Sequence, residues 1–131
     1  MGLFDFFGKK TETTSNEEKR VPWLRLTRMG QLDEIMEVSK TVPVAIFKHS
    51  TTCGISRMVF RNFESDYQVE EGKMKLYYLD LLTFRDVSNE VGYRFKVIHQ
   101  SPQLLIIKNG VAVYHASHHS IHASDLEPYA S

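Results

Sequence analysis

The strongest local signal in the sequence is a pair of apolar runs joined by a turn. Residues 103–108 (QLLIIK) and 111–115 (VAVYH) flank the dipeptide Asn109-Gly110. Asn-Gly favours a type I′ turn, because both central residues of that turn need a positive φ. The spacing therefore predicts a β-hairpin, so the fold must include an antiparallel strand pair near its C-terminal end.

A second apolar run predicts the centre of a sheet. Residues 43–47 (PVAIF) are apolar at every position, which is typical of a strand buried on both faces, and the polar stretch from Lys48 is expected to end it. The order of elements predicts an α/β fold, with a central mixed sheet and helices on both faces. The other patterns predict strands at 23–26 and 75–80 and helices at 31–40, 55–66, 84–91 (ended by Gly92) and 122–129.

Residues 1–21 are predicted to be a disordered tail, and residues 22–131 a single folded domain. Beyond a short apolar tip, the tail is charged and polar and has nothing to build a core. It matches neither a signal peptide nor a myristoylation site, and no stretch approaches the ~18 apolar residues of a membrane-spanning helix. The expected location is therefore the cytoplasm, with no membrane partner. Because 16 Lys and Arg balance 16 Asp and Glu, a nucleic-acid partner is not expected either.

Cys53 is the only cysteine, which excludes a disulfide framework and a zinc site built from several thiolates. It follows the predicted central strand and precedes a helix that Thr51 or Thr52 is expected to cap. Unpaired N–H groups and the helix dipole favour a thiolate at such a position, and residues 48–61 carry Lys, His and Arg but no carboxylate. Two interpretations follow: a nucleophile for thiol–disulfide exchange, or an inert packing residue.

Four histidines lie close together, at positions 115, 118, 119 and 122. Clustered histidines raise the question of a metal site. However, this segment spans the end of a strand and a loop, so helical spacing is not assured, and no carboxylate occurs in it before Asp125. The sequence therefore predicts no metal site.

Two features resemble the thioredoxin fold: a helix headed by Cys53, and Ser101-Pro102 directly before the hairpin. In that fold the proline is cis and packs beside the active thiol. Three stretches within residues 21–131 make the resemblance closer. In order, KHSTTCGIS, SPQLLIIKNG and YHASHHSI resemble the YtxJ-like bacilliredoxins, the monothiol proteins of the bacillithiol system. The TCPIS-like motif of that family matches residues 52–56, with Gly54 in place of the proline.

The resemblance implies a thioredoxin-like fold and a one-cysteine reaction. Cys53 is expected to remove bacillithiol, or a similar small thiol, from mixed disulfides on cytosolic proteins. Ser56 stands where a CxxC motif has its second cysteine, so regeneration needs a second small thiol or a thiol reductase as partner. The small thiol is a co-substrate, and no permanently bound cofactor or metal is implied.

The resemblance also implies a set of binding residues. In glutaredoxins the turn before the last helix binds glutathione, and here that turn is residues 117–120. Backbone N–H groups, hydroxyls and imidazoles suit the two carboxylates of bacillithiol. The residues expected to contact the small thiol are Thr52, Gly54, Ser101, Pro102, Ser117, His118 and His119. The candidates to assist Cys53 are Lys48, His49 and Ser56.

Two alternative functions remain open at this point. Gly54 brings the motif closer to the CGFS monothiol glutaredoxins, which carry iron–sulfur clusters with glutathione, although the Gly-Gly-Asp turn and the WP-type proline segment of those proteins are absent. The chain could therefore carry a cluster shared between two copies. It could also be a redox-inactive thioredoxin-like interaction module in which Cys53 only packs.

Overall fold

The computed structural model describes residues 21–130 as a five-stranded sheet with helices packed on it. The predicted tail lies outside the described residues except for Val21, which is buried in the core. In chain order the elements are β1 (Trp23–Arg25), α1 (Gly30–Val38), β2 (Val44–His49), α2 (Gly54–Asp66), β3 (Lys75–Asp80), α3 (Arg85–Phe95), β4 (Gln103–Lys108), β5 (Val111–Ser117), a 3₁₀ turn (His118–Ser120) and a 3₁₀ helix (Ala123–Tyr129).

The sheet is mixed, with the strand order β1-β3-β2-β4-β5. β1 and β2 both pair with β3 in parallel, whereas β4 pairs antiparallel with β2 and with β5. Every residue of β2 is buried, as expected for a central strand that is covered on both faces. The prediction of a central strand from the PVAIF run is therefore confirmed.

Alternation of side chains along the strands divides the core into two layers. On one side, Phe47 of β2 packs with Phe63 of α2, and we call this side the α2 face. On the other side, Ile46 of β2 packs with Ile35 of α1 and Val91 of α3, and we call this the α1/α3 face. The predicted mixed sheet with helices on both faces is confirmed.

The predicted hairpin forms between β4 and β5. Asn109 and Gly110 have φ values of 52° and 78°, so both central residues adopt the left-handed conformation that a type I′ turn needs. The turn is anchored to the end of α1, because Ser39 accepts hydrogen bonds from both turn residues. Its carbonyl oxygen lies 2.8 Å from the Asn109 nitrogen, and its Oγ lies 2.9 Å from the Gly110 nitrogen.

Two predicted boundaries are wrong. β2 does not end at the first polar residue but continues through Lys48 and His49, both of which are buried. Gly92 does not end its helix, since α3 continues to Phe95. A Cβ at position 92 would lie 3.0 Å from the carbonyl oxygen of Val97, so close packing accounts for this glycine better than helix termination does.

The last predicted helix forms, but as a 3₁₀ helix with Pro128 inside it. A proline near the end of a short segment favours a 3₁₀ helix, because its nitrogen has no proton to donate to an α-helical hydrogen bond. Within residues 21–130, the structure contains no helix that is both long and apolar enough to cross a membrane.

Candidate functional site

The carboxyl ends of β2 and β3 and the start of β4 meet at one edge of the sheet, which we call the site edge. Gln103, the first residue of β4, pairs with Lys48 of β2 and with Ser117 of β5. The loop after β2 carries Cys53, Ser101-Pro102 precedes β4, and the 3₁₀ turn follows β5. The topology therefore brings the sequence-predicted groups to one edge, where α/β proteins commonly bind their ligands.

Cys53 is exposed and is the N-cap residue of α2. The prediction that Thr51 or Thr52 caps this helix is wrong, because both are central residues of a turn that the Cys53 nitrogen closes on the Ser50 carbonyl oxygen at 3.3 Å. The backbone of Cys53 is extended, with φ −101° and ψ 125°. Its thiol consequently stands at the helix start, next to N–H groups that have no partner within the helix.

The peptide bond between Ser101 and Pro102 is cis, as the thioredoxin-like resemblance implies. Pro102 is buried, and its carbonyl oxygen accepts a hydrogen bond of 3.0 Å from the backbone N–H of His118. His118 has a φ of 56°, a left-handed conformation that is uncommon outside glycine. This bond ties the segment before β4 to the turn after β5.

His49 and Ser56 form a buried pair beside the loop that carries Cys53. His49 Nδ1 lies 2.8 Å from Ser56 Oγ, and the backbone N–H of Ser50 donates to the same oxygen at 3.0 Å. The His49 ring stacks on Phe60 of α2, with ring centroids 4.6 Å apart. Ser56, which stands where a CxxC motif has its second cysteine, is therefore bonded to both the strand and the loop.

Burial lowers the pKa of His49 below its usual value, and the charge of Arg57 adds to this effect, whereas Asp80 opposes it. The result favours a neutral imidazole near neutral pH. In the neutral ring one nitrogen donates and the other accepts, so the bond between His49 and Ser56 depends on the tautomer.

Lys48 points to the opposite face of the sheet from His49, because successive strand residues alternate. Its side chain is fully buried on the α1/α3 face. The Nζ atom lies 3.2 Å from the carbonyl oxygen of Ser88 in α3 and 3.3 Å from Nδ1 of His99. Burial lowers the pKa of Lys48 to about 8. This side chain holds α3 and the segment before the cis-proline, and it lies on the far side of the sheet from α2.

Consecutive histidines after β5 line two different depressions. His118 lines a cleft of about 750 Å³ with Gln103, His115 and Ser117, whose strand positions share the α1/α3 face. His119 lines a groove of about 160 Å³ against Asn62 and Asp66 of α2, together with His122. The pair that the sequence analysis treated as one binding group is thus divided between the two sides of the turn.

Sequence reasoning named Lys48, His49 and Ser56 singly but missed that His49 pairs with Ser56 and that Lys48 lies apart from them. The available signal was side-chain alternation: continued past Phe47, it places Lys48 and His49 on opposite faces of the sheet. Sequence reasoning also missed Gln103, which is almost fully buried and lines the larger cleft. In residues 21–130, no three His, Cys, Asp or Glu side chains are arranged to hold a metal ion.

A helix headed by an exposed cysteine, at the same edge of a mixed sheet as a cis-proline, defines a thioredoxin-fold protein of the thiol-redox class. The sequence has one cysteine, so the protein is a monothiol member of that class. The family model for the monothiol bacilliredoxin BrxC matches residues 24–126, and the chain belongs to this family.

Solved structures show that the fold is that of thioredoxin. A protein assigned as an oxidoreductase with a thioredoxin fold is 30% identical, with a TM-score of 0.69, and the match covers 83% of this chain and 94% of that one. A mutant thioredoxin from Halobacterium salinarum (16% identity, TM-score 0.62, 86% and 93% covered) and a thioredoxin from Nicotiana alata (14%, 0.63, 86% and 96%) show the same fold. Family and fold together support a thiol-redox role.

Proposed function

We propose that this protein is a cytoplasmic thiol–disulfide oxidoreductase that removes bacillithiol, or a similar small thiol, from mixed disulfides on proteins. The observation that carries the proposal is the exposed Cys53 at the start of α2, at the same sheet edge as the cis-proline. Membership of the monothiol bacilliredoxin family supports the choice of a small thiol as co-substrate.

The reaction needs one sulfur from the chain. The Cys53 thiolate attacks the sulfur of the small thiol in the mixed disulfide, a new S–S bond forms, and the target protein leaves as a thiolate that takes a proton from water. The small thiol then remains on Cys53. A second small thiol, or a thiol reductase, then attacks the sulfur of the bound small thiol, forms a new disulfide with it and releases Cys53 as a thiolate. The attacking thiol must come from outside, because no other cysteine exists in the sequence.

The space around Cys53 suits an incoming disulfide. A Cβ built on Gly54 would meet no atom within 4 Å, so the approach beside the thiol is open. Thr52 is also exposed, and Ser101 is half-buried beside the cis-proline. In the proposal these three residues and Pro102 border the sulfur atoms of the mixed disulfide.

The larger cleft suits the anionic part of the small thiol. Lys96, His115, His118 and the Ser117 hydroxyl line it, and no Asp or Glu among the described residues does. Its volume of about 750 Å³ is in the range of small-molecule sites. We infer that Ser117 and His118 contact the carboxylates of bacillithiol there, whereas His119, which lines the groove on the opposite side of the turn, does not.

The direct test is intact mass after incubation with a bacillithiolated protein. One small-thiol adduct on Cys53, removed by a second thiol, is expected, and the Cys53→Ser variant should carry none. If the wild-type protein acquires no adduct although its target stays bacillithiolated, the proposed function is wrong.

A second test separates binding from exchange. His118→Ala is expected to lower kcat/KM for the bacillithiol substrate about tenfold to a hundredfold, the loss of one hydrogen bond to a charged group. Bis(2-hydroxyethyl) disulfide, which has no carboxylate, should react with the variant at the wild-type rate. His119→Ala is the matched control, since His119 lines the other groove. Equal kcat/KM values in His118→Ala and the wild type would remove the cleft from the proposal.

A further inference from the structure

The buried pair of His49 and Ser56 has no part in the exchange described above. We propose that His49 is a positioning residue that acts through Ser56 to set the conformation and reactivity of Cys53. The inference rests on the proposed function, since it concerns the reactivity of the same thiol.

The first step is the loop itself. Ser50 is fixed through both of its backbone groups, because its carbonyl oxygen accepts from the Cys53 nitrogen at 3.3 Å and its N–H donates to Ser56 Oγ at 3.0 Å. Ser50 and Ser56 are both buried. Without the Ser56 hydroxyl, the N–H of Ser50 would lose its partner, which is costly for a buried donor. The hydroxyl therefore holds the turn that presents Cys53.

The second step concerns the hydroxyl proton of Ser56. A serine hydroxyl has one proton to donate and two lone pairs, and the N–H of Ser50 occupies one lone pair. A neutral His49 with Nδ1 unprotonated accepts the proton at 2.8 Å. The ring is held in this position by its stacking on Phe60 and is only 4% exposed. In this state, the hydroxyl proton of Ser56 and the N–H of Ser50 both have an acceptor.

The third step is protonation of the ring. The charged and titratable groups that face it are Arg57 of α2 and Asp80 and Tyr78 of β3. When Nδ1 carries a proton, it donates to Ser56 Oγ, and the hydroxyl proton must turn to another acceptor. Among the described residues Ser56 makes no hydrogen bond to the Cys53 sulfur, so protonation of His49 leaves the buried hydroxyl proton without its acceptor, which is costly. Acidification thus weakens the pair that anchors Ser50, and with it the turn that presents Cys53.

The experiment is the pH profile of Cys53 alkylation by iodoacetamide, together with the rate of mixed-disulfide exchange. In the wild type the alkylation rate is expected to change with pH in two steps. One comes from titration of the Cys53 thiol, and the other from titration of His49, below the usual histidine range. His49→Asn keeps an acceptor near the Nδ1 position but does not titrate, so it should keep the neutral-pH rate and lose the second step. His49→Phe keeps the ring stacking and Ser56→Ala keeps the helix. Both should lose the second step and about tenfold of the exchange rate, the equivalent of one hydrogen bond.

The outcomes distinguish this inference from the proposed function. Alkylation needs no small thiol. If the alkylation rate changes with pH in two steps but Cys53 acquires no small-thiol adduct from a bacillithiolated protein, only the proposed function is overturned. Wild-type profiles in Ser56→Ala and His49→Phe would overturn the positioning role. If His49→Phe does not fold, ¹⁵N NMR of the His49 ring decides. Nδ1 is expected to be unprotonated in the wild type. If the ¹⁵N chemical shift of Nδ1 is the same in Ser56→Ala as in the wild type, the pairing of His49 with Ser56 is refuted.

Discussion

Replacing Lys48 with methionine is expected to stabilise the protein. Lys48 is fully buried and its pKa is lowered from 10.5 to about 8. At about 1.4 kcal/mol per pKa unit, the folded state carries a penalty of about 3 kcal/mol for keeping this ammonium charged. Methionine has a similar length and retains the packing of the stem, but it has no charge to bury. We therefore expect Lys48→Met to raise the free energy of unfolding at pH 7 by about 2–3 kcal/mol.

The sign of the pH dependence follows from the same shift. The folded-state pKa of Lys48 lies below the unfolded value, so between pH 8 and pH 10.5 the unfolded chain binds more protons than the folded one. Stability of the wild type therefore rises with pH across this window, as its penalty is relieved. The advantage of Lys48→Met should shrink by about 2 kcal/mol between pH 7 and about pH 9.5.

The assay is urea unfolding of both proteins at several pH values across this range. Lys75→Met is the matched control, because Lys75 is also a strand lysine but is exposed. The control should change stability by less than about 0.5 kcal/mol. A Lys48→Met variant that is destabilised at neutral pH, or whose advantage does not depend on pH, would refute the reasoning from burial.

The same variant tests whether Lys48 assists Cys53. Its ammonium contacts Ser88 and His99 on the α1/α3 face, so the alkylation rate of Cys53 should stay within about twofold of wild type. In contrast, the pKa of His99 should rise, because the charge of Lys48 is one cause that lowers it, after burial. NMR titration of the His99 ring checks this second expectation.

Three further substitutions have outcomes that the structure predicts. Ser56→Cys places a second thiol three residues after Cys53, so the bound small thiol should be displaced within the chain. Intact mass should then show an internal disulfide, and a persistent adduct would contradict this. Ser39→Ala should lower the free energy of unfolding in urea by about 1–2 kcal/mol, because the N–H of Gly110 loses its acceptor. An unchanged urea midpoint would show that the turn finds another partner. Gly54→Pro should raise the free energy of unfolding by about 0.4–1 kcal/mol, and with it the Tm. The reason is that Gly54 is the first helical residue and the ψ of 125° at Cys53 suits a following proline. A lower Tm would contradict this reasoning.

The sequence was sufficient to predict the elements whose side chains share one local pattern. The hairpin followed from Asn109-Gly110 and its flanking runs, and the central strand followed from PVAIF. The end of β2 could not be predicted, because a lysine in a strand normally indicates exposure, and only contacts from α3 and His99 explain how Lys48 lies buried. The role of Gly92 was hidden for the same kind of reason, since Val97 approaches it through tertiary packing.

The candidate site was only partly predictable. Cys53 and Pro102 could be named from their positions next to strands, because topology alone brings them to one edge. His118 and His119 could not be assigned to separate clefts from sequence. The left-handed backbone of His118 changes the direction of the chain between them, and neighbouring residues of a turn do not follow the alternation of a strand.

The position of Ser56 helps to explain how this chain is a monothiol protein. A dithiol site needs a second sulfur in the first turn of α2, facing the first. Here that position is occupied by a hydroxyl whose contacts with His49 and Ser50 are buried. A cysteine sulfur at position 56 would be larger and a weaker hydrogen-bond partner than the hydroxyl. The chain would then have an internal thiol to resolve the mixed disulfide, but it would lose the anchoring of the loop that carries Cys53. With the serine retained, each turnover of the proposed reaction stops at the mixed disulfide on Cys53, and its completion depends on the concentration of an external thiol.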